Sequence, residues 1–134
     1  MQRWNKRRPF GALAGLFLVL AAPALADPLP RLIFFDSGKP EITRDAADVL
    51  DEAIRAGSSR SRWTIVGFAD HSGPESANRR IALARAQAAM HYLVEHGVAP
   101  NAIVVRSEGE SAPLIPTSDG VREPQNRRVE IQLQ

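Results

Sequence analysis

Residues 63–97 read WTIVGFADHSGPESANRRIALARAQAAMHYLVEHG, and the hydrophobic period changes partway through. From Trp63 to Ala69 bulky and β-branched residues form a short apolar run, ended by Asp70 and the turn-forming His71-Ser72-Gly73-Pro74, which reads as a strand leaving into a loop. From Ser76 to His96 apolar and small residues recur at helical spacing, with Gly97 at the C′ position and Pro100 barring continuation. On a wheel of roughly 100° per residue, Arg80, Gln87, His91 and Glu95 fall on one narrow polar face. Arg85 falls inside the apolar arc, flanked by Ile81, Ala88 and Tyr92 on one side and by Ala82 and Ala89 on the other, and Asn78 lies two turns earlier on nearly the same line. An arginine kept charged there must find an anion or bear a desolvation cost of several kcal/mol. Asp70, at the end of the preceding strand, is the candidate to stand near it, either as a buried structural ion pair or beside a cleft. One acid and one guanidinium together complement a zwitterionic amino-acid group, the carboxylate taking the ammonium and the arginine taking the carboxylate bidentately.

Upstream of this stretch, Arg31-Leu32-Ile33-Phe34-Phe35 reads as a strand followed by the turn Asp36-Ser37-Gly38. Thr43 is placed to cap a helix in which Ala46, Val49, Leu50, Ala53 and Ile54 recur before Gly57. Downstream, Ile103-Val104-Val105 reads as a third strand, residues 107–125 as a loop rich in Pro, Ser and Gly, and Val129, Ile131 and Leu133 alternate with Arg128, Glu130 and Gln132 as a fourth. The order β-α-β-α-β-β predicts an α+β domain of two layers, two helices on a mixed four-stranded sheet. Trp63, Phe68 and Tyr92 are expected in the core, and Arg79, Arg80 and Arg128 on solvated faces.

The chain opens with Arg3, Lys6, Arg7 and Arg8 and no acid, continues through an apolar run from Phe10 to Leu20, and reaches Ala24-Leu25-Ala26. That is the order of a secretory signal peptide over residues 1–26, followed by a linker over 27–30 and one domain over 31–134. The alternative is an uncleaved membrane anchor. Of 17 Lys and Arg, the four in the leader leave 13 against 15 Asp and Glu, so the part from residue 27 onward is near −2 and lacks the broad basic surface of a nucleic-acid binder. With no cysteine, those 108 residues have neither disulfides nor a lipid-attachment thiol, and their stability rests on the hydrophobic core.

Gly67-Phe68-Ala69-Asp70-His71-Ser72-Gly73, Asn78, Ile81-Ala82-Leu83-Ala84-Arg85-Ala86 and Asn126-Arg127-Arg128-Val129, with the opening Phe34-Phe35-Asp36-Ser37-Gly38, resemble in order and spacing the OmpA-like C-terminal domain family. The resemblance covers essentially all of residues 31–134. It implies non-covalent binding of cell-wall peptidoglycan through the diaminopimelate of the stem peptide, in the periplasm and in association with the cell wall or outer membrane. It also implies which residues bind: Asp70 and Arg85 match the pair that holds the diaminopimelate, Asn78 the helix asparagine and Arg127 the first arginine of the N-R-R-V segment, while Ala69 and Asp36 would line the same cleft. Departures from the family fall at Phe68, Ala69, His71 and Ala82, and these trim side-chain hydrogen bonds without touching the central pair.

His71 beside Asp70 invites an acid–base reading, but the sequence has no cysteine to serve as a nucleophile, and His91 and His96 lie far along the helix. No catalytic residue, metal site or cofactor is expected. Besides peptidoglycan the expected partner is another envelope protein, with no nucleic acid and no membrane span once the signal is removed. The competing reading is a structural subunit of an envelope complex that keeps the fold without wall contact. The expectation for the leader is direct: intact mass and N-terminal sequencing of the exported protein give a chain beginning at Asp27 in the soluble periplasmic fraction, and retention of residues 1–26 in a membrane fraction replaces the signal peptide with the anchor.

Overall fold

The computed structural model describes residues 29–134; the expected signal peptide and residues 27 and 28 of the linker lie outside them. The elements are β1 (Arg31–Phe34), α1 (Arg44–Ala56), β2 (Trp63–Phe68), α2 (Glu75–Glu95), β3 (Ile103–Gly109) and β4 (Arg128–Leu133), with single 3₁₀ turns at Pro100–Ala102 and Pro124–Asn126. They form one four-stranded sheet in the order β1-β4-β2-β3. The last strand is therefore central, antiparallel to both β1 and β2, while β2 and β3 run parallel. Both helices cover one face, α1 over β1 and α2 over β2 and β3, which gives the expected two-layer α+β domain.

The helix ends follow from their residues. Thr43 Oγ1 accepts from the Ala46 N–H at 3.2 Å and closes the start of α1. At the end of α2, Gly97 adopts φ 100°; its N–H donates to Val94 O at 3.1 Å and that of Val98 to Leu93 O at 2.9 Å, a Schellman pair that only a residue tolerant of positive φ closes cheaply. α2 starts one residue earlier than its sequence pattern suggests, after Pro74 and without a side-chain cap. β3 runs four residues past Val105, through Arg106-Ser107-Glu108-Gly109, by pairing with β2 across a register shift at Gly67/Phe68. Those polar residues concealed it in the sequence, because an edge strand carries charge on the positions that face water.

Leu50, Ala53, Ile65, Ala86, Ala89, Leu93, Val129 and Ile131 have no exposed surface and form the centre of the core, with Ile33, Phe35 and Trp63 around them. The other two aromatics expected in the core stand at its margin. Phe68 is buried but outside that core: it lies under Arg128, whose guanidinium carbon is 3.8 Å from the ring centroid. Tyr92 is only half-buried and donates to Asp51 Oδ1 at 2.7 Å, linking the two helices. Arg128 is itself no solvated residue, being 4% exposed. The 110–127 loop folds over it, its NH2 donating to Ala112 O at 3.1 Å and to Glu130 Oε1 at 2.8 Å. The loop is in turn pinned by Asn126, fully buried, whose side chain bonds both backbone groups of Ile115 at 2.7 and 2.8 Å.

The helix–sheet distance is set by small residues. Ala82, Ala86 and Ala89 are fully buried on α2, and a Cβ placed at Gly67 of β2 would overlap the Ala82 carbonyl oxygen. Because the clash is with backbone, it cannot be relieved by a rotamer change. Gly67→Ala should therefore cost on the order of 3 kcal/mol in overpacking, against about 1 kcal/mol for Gly97→Ala, where only the positive φ resists. Urea unfolding midpoints of the two variants check the ordering.

Candidate functional site

The site lies where β1 and β2 end and β4 begins. β2 delivers Asp70 two residues past Phe68, in a tight turn that its own side chain builds: Oδ1 accepts from the Ser72 N–H at 3.2 Å and from Ser72 Oγ at 2.5 Å, an Asx turn. Oδ2 accepts from the Glu123 N–H at 3.2 Å and from Arg127 NH1 at 3.3 Å. Asp70 is 4% exposed. Burial alone would raise its pKa, yet the hydrogen bonds from Ser72, Arg127 and Glu123 together outweigh it and hold the carboxyl below its ordinary 3.8.

Arg85, 1% exposed, is among the largest fully buried side chains. Of the two readings of Asp70 and Arg85, the buried structural ion pair does not hold: the carboxylate pairs with Arg127 and acts on Arg85 only through its charge. Arg85 instead donates to three backbone carbonyls, Nε to Lys39 O at 3.1 Å, NH2 to Asp36 O at 3.1 Å and NH1 to Phe68 O at 3.4 Å, and its guanidinium carbon lies 5.5 Å from the Phe35 ring centroid. Carbonyl dipoles satisfy donors without cancelling charge. Burial accordingly pulls its pKa down to about 10, the charge of Asp70 opposing this and that of Arg127 adding to it. Three of its five N–H groups are spent on carbonyls, and it remains cationic at neutral pH.

Arg127 bridges the two ends of the site, its Nε donating to Phe35 O at 3.0 Å while NH1 holds Asp70. Asp36 contributes its carbonyl to Arg85, its side chain being exposed. Asn78 is two turns before Arg85 on the same buried face, but its Nδ2 donates to Gly73 O at 2.9 Å and Glu110 Oε2 at 2.5 Å. It anchors the loop that carries Asp70 rather than joining the charges. Ala69, 2% exposed, is fixed by its N–H to Gly109 O at 2.7 Å. The structure thus brings together Asp36, Asp70, Arg85 and Arg127, with Ala69 and Asn78 behind the loop.

His71 turns away from Asp70, its Nδ1 3.0 Å from Thr117 Oγ1. The supports that sequence reading missed are Ser72, the backbone N–H of Glu123 and the carbonyls of Lys39 and Phe68. Only Ser72 left a signal, as a hydroxyl two residues after an aspartate in a turn; the others are backbone groups of distant segments. The two guanidiniums and the one buried carboxylate, Asp70, make the interior of the site near +1, a charge that complements an anionic group. Among the described residues no cluster of His, Cys, Asp and Glu suits a metal ion, and no helix is long and apolar enough to cross a membrane.

Among proteins of known sequence, the chain is 38% identical over 110 residues to an outer membrane protein of Gluconacetobacter diazotrophicus, covering 76% of this chain and 29% of that one. It is 36% identical over 93 residues to the peptidoglycan-associated lipoprotein of Pseudomonas putida, covering 69% and 54%. The chain therefore spans between about a third and just over half of these relatives. Among solved structures, the peptidoglycan-associated lipoprotein of Burkholderia pseudomallei superposes with a TM-score of 0.71 at 24% identity, covering 78% of this chain and 90% of that one. The C-terminal domain of Helicobacter pylori MotB gives 0.66, also at 24%, covering 78% and 84%. At that identity these two carry the fold alone. Residues 34–127, which include Asp36, Asp70, Arg85 and Arg127, match the OmpA family, and the chain belongs to it.

Proposed function

We propose that this domain binds peptidoglycan non-covalently, without catalysis, by gripping the diaminopimelate of the stem peptide in the periplasm. The observation that carries this reading is Arg85, a buried cation facing three carbonyls and no carboxylate of its own. A ligand carboxylate supplies the direct contact that Asp70, acting on Arg85 only through its charge, does not, and the ligand ammonium lies in the field of Asp70, which four donors already hold ionised and oriented. Arg127, tied to Asp70 and to the end of β1, fixes the spacing between the two charges. Membership of a family that includes peptidoglycan-associated lipoproteins supports the same ligand.

Sedimentation with purified peptidoglycan tests the reading when thermal unfolding is followed on the same variants. Each charge-assisted contact is worth about 1.5 to 3 kcal/mol, so Asp70→Asn should lower binding by more than about tenfold. Arg85→Lys retains a charge but loses the planar fork, and should weaken binding while the protein stays folded. Wall binding by folded Asp70→Asn and Arg85→Lys proteins equal to that of the unaltered protein would remove the site, and binding by neither they nor the unaltered protein would favour the structural-subunit alternative.

The pH response has a defined sign. The folded pKa of Asp70 lies below its ordinary 3.8, so the unfolded chain takes up the proton first as pH falls. The stabilisation from this carboxylate is complete above about pH 5 and is lost as pH drops through 3.8 toward the folded value. Arg85, lowered to about 10, keeps its charge through that range. The stability difference between the unaltered protein and Asp70→Asn should be constant from neutral pH to about 5 and shrink below it, as followed by thermal midpoints across a pH series.

A further inference from the structure

β3 ends the sheet on the side away from β1, and its outer edge has no strand partner among the described residues. Between that edge and α2 runs a groove of about 700 Å³, lined on the helix by Arg79, Arg80 and Leu83 and on the strand by Val105, Arg106 and Ser107. None of Asp36, Asp70, Arg85 and Arg127 borders it. Charge distinguishes it from the rest of the domain. The part from residue 27 onward is near −2, whereas the groove carries three arginines against the single carboxylate of Glu75, which Arg79 engages at 2.8 Å. Arg80 and Arg106 are exposed and make no ion pair among the described residues. Leu83 is 39% exposed and Val104, on the same strand, 57%.

We propose that this groove docks an extended acidic peptide segment of a protein partner, added as a further strand beside β3. An open strand edge offers main-chain donors and acceptors that only another extended chain satisfies. The side chains of such a segment alternate between two faces, one meeting Leu83 and Arg80, the other Val104 and Arg106, so a pair of carboxylates at adjacent positions answers arginines on both sides. A second copy of this chain would bring the same arginines to the same edge, and a lipid or phosphate group would leave the strand edge unpaired.

Titration of ¹⁵N-labelled protein with two synthetic peptides tests this, one carrying adjacent pairs of glutamates separated by threonine and leucine, the other carrying lysine in place of glutamate. The acidic peptide should bind at least about tenfold tighter, with amide shifts confined to Ile103–Gly109 and the N-terminal half of α2. The double variant Arg80→Glu/Arg106→Glu should reverse the preference, leaving the melting temperature and peptidoglycan sedimentation unchanged. Equal affinity for the two peptides, shifts elsewhere on the domain, or binding of phosphatidylglycerol vesicles in place of the acidic peptide would overturn the proposal. Because the readouts are separate, loss of peptide docking leaves the wall-binding reading standing, and the reverse also holds.

Discussion

The buried charge of Arg85 is the constraint on which the rest of the domain depends. A guanidinium with 1% exposure is tolerated only if its donors are met, and they are met by carbonyls from Asp36 and Lys39 in the turn after β1 and from Phe68 at the end of β2. The strand ends and the turn are therefore held in place by the same side chain that carries the charge. A leucine would pack in the same space and cost less to bury, but it would leave those three carbonyls without their donors.

Asp70 shows the complementary arrangement. A carboxylate in a buried position ordinarily drifts toward its neutral form, and four donors prevent that here. Two of the donors come from Ser72, local to its turn, and two come from residues 123 and 127, across the loop that folds over Arg128. The 110–127 loop is thus more than a connection. Asn126 pins it, and the pinned loop closes one wall of the site.

Much of this was legible in the sequence because helix and strand periods place residues on faces. The wheel put Arg85 in the apolar arc, and the strand run put Asp70 at its end. Wheels and runs do not report contacts between distant segments, so they match Asp70 to the arginine in the apolar arc of the next helix, whereas Arg127 is its ion-pair partner in space. For the same reason the wheel places Asn78 on the line of Arg85 without showing that the neighbours of its amide are Gly73 and Glu110. Arg128 looked solvated because β-alternation assigns it to the polar face; only a loop whose path no local pattern encodes could bury it. β3 was read short because its edge position gives it polar residues.

β4 occupies the middle of the sheet although it is the last strand in sequence, and it alone ties β1 to the others. A chain that emerges N-terminus first, from a ribosome or a translocation pore, thus releases β1, both helices and Asp70 well before the strand that joins them. Neither β1 nor the Arg127 side of the site can be fixed until β4 threads between β1 and β2. Those pairings span nearly the whole domain, a high contact order that delays folding. The two sides of the site are accordingly brought together only when that last pairing forms.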